Sequence, residues 1–404
     1  MKQFTDKVLA RLEAKQSRMI EIRRYLHQRP ELSFQESKTA KYISDFYQGK
    51  DCQVQTNVGG IRGVVVDVFG SKESAKKQQH IAIRADFDAL PIQEETGLPF
   101  ASVNPGVMHA CGHDAHTAHM LILAETLIEL KSEFSGHVRV LHQPAEEVPP
   151  GGAKAMIEAG CLDGIDAVLG IHVMSTMEED TVQYHAGAVQ TGRATFKVKI
   201  QGKGGHGSMP HLANDAIVAA ASFVTSAQTI VSRRISPFET AVVTIGSFDG
   251  KGSANVIKDS VTLEGDVRVM SEESRQIVEE EFKQILEGIC QAFKVTYELD
   301  YLNDYPVLMN DAHVTDTVTK ALREQAIPEM EVLECDPQTP SEDFAYYAQQ
   351  IPACFFYVGA HEAGKAYYPH NHPKFEISEQ SLLISAKAKA MATALMACLE
   401  EGEE

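Results

Sequence analysis

The sequence predicts an α/β domain with a mixed, largely parallel sheet, interrupted by a separate inserted α+β domain. Three observations predict it. Short apolar, β-branched runs alternate with helical patterns through about residue 180, which implies strands joined by helical crossovers. From about Tyr184 the texture changes to alternating strands around two helical stretches. Beyond about Leu302 the first pattern resumes, so the division is 1–183 with 303–404 for the interrupted domain and 184–302 for the insertion.

Taken in order, MKQFTDKVLARLEAKQSRMIEIRRYL places apolar residues at helical spacing between charges and reads as an amphipathic helix, not a signal peptide. IRGVVVDVFG, HIAIRADF, GHVRVLHQP and DAVLGIHV are strand-like, and HTAHMLILAETLIELK is helix-like. In the insertion, TFKVKIQG, TAVVTIGSF, SVTLEGDVRVM and KVTYELDYL read as strands, with helices near 214–232 and 272–293. CFFYVGA is a further strand, a closing helix runs from about Glu379 to Leu399, and the final Gly-Glu-Glu reads as a frayed tail.

Composition narrows the function classes. The chain has 404 residues, 44% of them hydrophobic, enough for a large core and two or three units at roughly 100–200 residues each. Thirty-seven basic against 56 acidic residues give a charge of −19, which repels nucleic acid and anionic membrane. The densest basic stretch, Lys72 to Lys77, is short and loop-like. No uninterrupted apolar run approaches the ~20 residues that span a bilayer. The seven cysteines, at 52, 111, 161, 290, 335, 354 and 398, are scattered and odd in number, which argues for a reducing compartment, the cytoplasm.

Chemistry concentrates at the ends of the apolar runs, where open α/β sheets gather their sites. Met108 to His119 holds four histidines, one thiol and one carboxylate in twelve residues at a helix start; thiolate with imidazole selects zinc or a similar ion. His116 and His119, three apart inside the helix, read as supporting or surface residues. Glu146-Glu147 follows HVRVLHQPA, and on extended backbone the two side chains point opposite ways, so one can ligate a metal while the other serves as base. The doublets Glu94-Glu95, Glu178-Glu179 and Glu272-Glu273 read as solvated surface pairs. His172 closes DAVLGIHV, and YYPHNHPKF offers His370 and His372. The candidate ligands for two divalent ions are thus Cys111, His113, Glu147, His172 and one C-terminal histidine.

RADFDALP, MHACGHD, QPAEE, GIHV, GGHGSMPH, SANVI with GDVR, TPSEDFA and HPKF, in this order from about Arg23 to the closing helix, resemble the aminoacylase/hippurate-hydrolase branch of the M20 metallopeptidases. The resemblance implies a catalytic domain with a dinuclear manganese or zinc site and an inserted lid through which the chain forms a homodimer. It makes Cys111, His113, Glu147 and His172 ligands, with Glu146 the base that takes a proton from the attacking water and delivers it to the leaving amine. Asp86 and Asp88 would orient ligands. Read alone, Gly204 to Ser208 is a glycine-rich anion nest without the context of a phosphate loop; by resemblance His206 stabilises the tetrahedral oxyanion, and Asn255 and Arg268 contact substrate. The sequence departs from the family pattern in Val148-Pro149-Pro150 before Gly151-Gly152, and in Asn371, which stands two residues before the proline where the last ligand is expected. That ligand is then His370 or His372, and the reading settles on His372.

The expected activity is hydrolysis of a small-molecule N-acyl amino acid, with N-acetyl, benzoyl or longer acyl group. A dipeptidase or carboxypeptidase is the second reading. The third, a non-catalytic metal-dependent binding protein, predicts a broken base or a missing ligand, and neither is seen.

Overall fold

The structure is a computed structural model that describes residues 2–73, 79–324, 327 and 330–398. Most of the basic stretch Lys72 to Lys77, together with Leu399 and the Gly-Glu-Glu tail, lies outside these residues. The chain divides into two compact units, Met1–Val189 with Met309–Asp336 and Asp343–Glu404, and Gln190–Leu308 with Pro337–Glu342. The boundaries expected at 184 and 302 fall a few residues away: Tyr184 ends the strand Thr181–Tyr184 of the first unit, and Leu302 lies within Thr296–Asn303 of the second.

The first unit is built on an eight-stranded sheet in the order Gln53–Val58, Gly63–Phe69, His137–Gln143, His80–Asp86, Ala167–Glu178, Ala353–His361, Thr181–Tyr184 and Glu331–Glu334. The four central strands, from His137–Gln143 to Ala353–His361, are mutually parallel. Antiparallel pairings flank them. Strands covered on both faces need apolar side chains in both directions, which explains the unbroken run Val64-Val65-Val66. Alternate residues divide between the faces. Val66, Ile83, Val140, Leu169, Ile171, Phe356 and Val358 join a core with the helices Lys2–Ala14, Gln16–His27, His113–Glu129, Ala312–Glu324 and Gln380–Cys398. On the other face Phe355 packs on Phe344, with ring centroids 5.0 Å apart.

The helix His113–Glu129 is buried along nearly its whole length, which is why apolar residues from Met120 to Ala124 run on without a polar face. The amphipathic N-terminal segment is two helices, Lys2–Ala14 and Gln16–His27, that meet at Lys15, whose ammonium pairs with Glu125 and Glu129.

The second unit is a four-stranded antiparallel sheet, Ala241–Asp249, Ser260–Val269, Gly192–Gln201 and Thr296–Asn303, with the helices Ala216–Arg233 and Glu272–Phe293 packed on it. Asp215 caps the first helix by accepting the Ile217 N–H, and Ser271 caps the second by accepting that of Ser274. Ala216–Arg233 is apolar and long enough to span a bilayer by composition, yet it turns Ala219, Ala220, Phe223, Ala227 and Ile230 inward. Gly265 has no alternative, because a Cβ there would meet the Phe196 ring at 2.2 Å and the Thr244 carbonyl at 2.1 Å.

Candidate metal centre and active site

Parallel register brings the site together. His80–Asp86 pairs with His137–Gln143 so that Asp86 faces Gln143, and with Ala167–Glu178 so that Arg84 faces Gly170. Two residues further on, Asp86, Gln143 and His172 stand level. The strand does not end at His172, as DAVLGIHV suggested, but continues to Glu178. The loop after Asp86 supplies Asp88, and the start of His113–Glu129 supplies Cys111 and His113.

Hydrogen bonding decides which histidine nitrogens are left for a metal. His113 Nδ1 lies 3.0 Å from the Asp88 carbonyl and 3.1 Å from Asp88 Oδ1. Both are acceptors, so Nδ1 carries the proton and the Nε2 lone pair is available. His172 Nδ1 likewise meets the Val173 carbonyl at 2.8 Å, leaving Nε2 3.4 Å from Cys111 Sγ. His116 is consumed: Nδ1 bonds Asp86 Oδ1 at 2.6 Å, and Nε2 accepts the Val173 N–H at 3.0 Å. Thus Asp88 orients His113 directly, whereas Asp86 orients His116. His119 is buried with Nδ1 on the Ala115 carbonyl.

Two sets of donors converge. Ligand atoms of Cys111, His113 and His172 lie within 4.8 Å of one another, as do those of His113, Glu146 and Glu147. His113 Nε2 and Glu147 Oε1 are buried, 3.9 Å apart and without a hydrogen-bond partner among the described residues. Buried polar atoms left without a hydrogen bond are costly. A cation between them would satisfy both. The electrostatics point the same way. Burial, reinforced by Glu147, Glu146 and Asp86, pushes the Cys111 thiol well above its ordinary value. Burial lifts the Glu147 carboxyl to about 7. Burial disfavours charge on His113, but Asp86, Asp88 and Glu147 outweigh it and raise the imidazole to about 10, so without a metal Nε2 holds a second proton, which a metal ion would displace. These groups want a cation, and the residues fit a divalent metal.

The carboxylate pair does not sit on extended backbone. The strand ends at Gln143, and Glu146 and Glu147 follow in a bend after Ala145, which is left-handed at φ 55°. Strand alternation therefore does not separate their roles; the bend brings both toward His113. Gly152 closes the turn, donating to the Ala145 carbonyl, and a Cβ there would stand 1.9 Å from the Pro144 carbonyl.

The two C-terminal histidines part at Asn371, left-handed at φ 66° with its N–H on the Ala110 carbonyl. His370 goes to the site: its ring is 5.1 Å from that of His172, and Nε2 meets the Val173 carbonyl at 3.0 Å. His372 instead stacks on Tyr368 at 4.7 Å, and its Nδ1 accepts the Lys374 N–H.

Residues 82–394 match peptidase family M20/M25/M40. The chain belongs to this family. It is 39% identical over 372 residues to the N-acetyl-L-cysteine deacetylase of Bacillus subtilis (strain 168), covering 92% of this chain and 86% of that one. It is 40% identical over 288 residues to the N-acyl-L-amino acid amidohydrolase of Geobacillus stearothermophilus, covering 71% and 76%. Among solved structures, the Bacillus subtilis YXEP protein, a dinuclear metal binding peptidase from the M20 family, aligns with a TM-score of 0.81 at 32% identity over 95% of this chain and 99% of that one. The protein is an M20 hydrolase that binds divalent metal.

Several residues that support this M20 site were not singled out from sequence. Arg84 is buried and donates to Gln143 Oε1 at 2.9 Å, Asp86 Oδ2 at 2.6 Å and Asp343 Oδ1 at 2.8 Å. Asp343 also receives Gln143 Nε2 and the Ala153 N–H. A charge inside an apolar strand run, which must find a partner, was the available signal for Arg84. Glu94 corrects another expectation: it is not solvated but sits against the buried His27 at 3.2 Å and accepts the Ser102 N–H.

The other candidate residues lie in the second unit. His206 is exposed on Gly205–His206, paired with Val256, and Asn255 adjoins this pairing through its carbonyl, which accepts the Gly207 N–H at 2.7 Å. His206 Nδ1 accepts the Ser208 N–H at 3.2 Å, with Ser208 Oγ 2.8 Å away, so in the neutral ring the proton is on Nε2. Arg268 Nε bonds Asp266 Oδ2 at 2.7 Å, and Arg193 takes Oδ1 of the same carboxylate.

Proposed function

We propose that this chain hydrolyses the amide bond of a small N-acylated amino acid, releasing a carboxylic acid and a free amino acid. The observation that carries the reading is that His113 Nε2 and Glu147 Oε1, buried 3.9 Å apart without a hydrogen bond among the described residues, stand beside Cys111, His172 and Glu146. Cys111, His113, Glu147 and His172 hold two divalent ions, manganese or zinc, with one more histidine; the position of His370 against His172 favours it over His372. Bound there, the ions supply Lewis acidity toward the carbonyl and a water that ionises near neutral pH.

The protein's own residues do the rest. Glu146 accepts a proton from the attacking water, whose oxygen bonds to the acyl carbon, and returns it to the nitrogen as the C–N bond breaks. His206 offers its Nε2–H as a hydrogen bond to the oxyanion, commonly in the partner subunit's active site by resemblance to the family, and Asn255 and Arg268 contact substrate, the guanidinium fork matching a free carboxylate. Two further readings accompany this one. A homodimer forms through the inserted domain, in keeping with its exposed Phe238, Leu212, Val218 and Val256. A cytoplasmic location accords with six free cysteines among the described side chains.

The test is hydrolysis of N-acetyl-methionine, hippurate, a long-chain N-acyl amino acid and a dipeptide by metal-stripped protein resupplied with manganese or zinc, with Glu146→Ala as control. Metal-dependent release of free amino acid, lost in the control, is the expected result. Turnover of the dipeptide alone replaces this reading with a peptidase.

A further inference from the structure

The segment Ser33 to Glu36, between the helices Gln16–His27 and Ser37–Phe46, has no role in the chemistry above, yet it reaches both loops that carry the site. Glu36 is fully buried. Its Oε1 accepts two backbone N–H groups at 2.9 Å, from Phe34 and from Ala145. Both residues are left-handed, Phe34 at φ 63° and Ala145 at φ 55°. Side chains with a Cβ adopt this conformation only where their surroundings impose it, and one carboxylate oxygen joins the two.

The segment is itself tied down. Ala89 donates its N–H to the Glu31 carbonyl, Leu32 bridges Ala89, and Arg62 Nη1 donates to the Phe34 carbonyl at 2.6 Å. Three residues before Glu36, Ser33 Oγ donates to Asp88 Oδ2 at 2.6 Å. That same oxygen accepts the Glu147 N–H at 3.0 Å, while Asp88 Oδ1 faces His113. Glu146 and Glu147 are therefore held from both sides, Ala145 by Glu36 and Glu147 by Asp88.

We propose that Glu36 is a positioning residue for the metal centre: by accepting the Ala145 N–H it holds the left-handed turn that presents Glu146 and Glu147 to His113. It acts through the acceptor at Oε1, which the carboxyl offers whether ionised or protonated. Glu36 Oε2 is buried without a partner among the described residues, and burial lifts the carboxyl to about 7, so the group gives up ionisation readily while Oε1 goes on accepting. A glutamine offers the same acceptor at the same reach. An aspartate keeps the charge but withdraws the oxygen by one methylene.

The catalytic part of the test rests on the amidohydrolase reading, and the metal part does not. Affinity for zinc and manganese is measured on metal-stripped Glu36→Gln, Glu36→Asp and Glu36→Ala by competition with a chromophoric chelator, alongside kcat and KM. Expected is a loss of roughly 10–100-fold in metal affinity for Glu36→Asp and Glu36→Ala, the usual scale for a residue that orients ligands. In these variants kcat falls more than KM rises, and Glu36→Gln stays near wild type. Wild-type metal affinity in folded Glu36→Asp, or a loss in Glu36→Gln equal to that in Glu36→Asp, overturns the proposal; this comparison decides even if Glu36→Ala does not fold. A wild-type protein that binds metal tightly but cleaves no amide sinks the hydrolase reading and leaves the affinity comparison to judge Glu36.

Discussion

Asp88 Oδ1 stands 3.1 Å from His113 Nδ1 and the Asp88 carbonyl 3.0 Å from it, so one residue, through side chain and backbone together, sets which nitrogen of that histidine carries the proton. Its other carboxylate oxygen takes the Glu147 N–H, which couples the orientation of two candidate ligands. Asp88→Asn keeps the size but turns an amide donor toward one of these donors. Metal affinity is expected to fall roughly 10–100-fold with the near-UV spectrum intact, as chelator competition would show. Unchanged affinity would mean that the His113 tautomer is set elsewhere.

His206 offers a donor and not a ligand, because Ser208 occupies its Nδ1. His206→Ala should lower kcat by ~10²–10³, the usual cost of one oxyanion donor, while the metal content of the purified protein stays the same. A loss of bound metal in step with activity would move His206 into the metal centre.

Arg84 and Asp343 form a buried ion pair at 2.8 Å, with both side chains at most 1% exposed. Asp343→Ala leaves Arg84 paired with Asp86 but strands Gln143 Nε2 and the Ala153 N–H, buried donors whose loss of partner costs about 1–3 kcal/mol each. Urea unfolding should report that loss. A change within 0.5 kcal/mol would show that Asp343 adds nothing beyond packing.

Acid sensitivity should trace in part to Glu125, far from the metal centre. Burial raises its carboxyl, but Lys50, Lys15 and Arg18 prevail and lower it from 4.5 to about 2. A carboxylate depressed in the folded state stabilises it above the unfolded value, and that contribution is lost as pH falls from about 4.5 through about 2. Glu125→Gln should thus have a lower melting temperature than wild type at pH 6 and a shallower decline between those two values. Parallel melting curves across this window would dismiss the assignment.

Much of this architecture was legible in the linear sequence, because strand runs and helical spacing are local signals. Val64 to Val68, Ile81 to Ala85 and Val138 to Leu141 announce buried strands by β-branching and length, and Cys111 with His113 announces a metal by ligand chemistry. The bend after Ala145 and the parting of His370 from His372 were not legible. Each is decided by a partner remote in sequence: Glu36 for Ala145, and the Ala110 carbonyl for Asn371.

The sequence by itself determined the fold class and the family, and it offered candidates for binding metal and moving a proton, since these follow from residue types and their spacing along the chain. Only the tertiary structure decided which nitrogen of each histidine is hydrogen-bonded, which C-terminal histidine lies beside His172 and which segments hold Glu146 and Glu147 in place. Those outcomes depend on hydrogen bonds closed between segments that meet only when the parallel sheet sets its register, and no local pattern encodes that meeting.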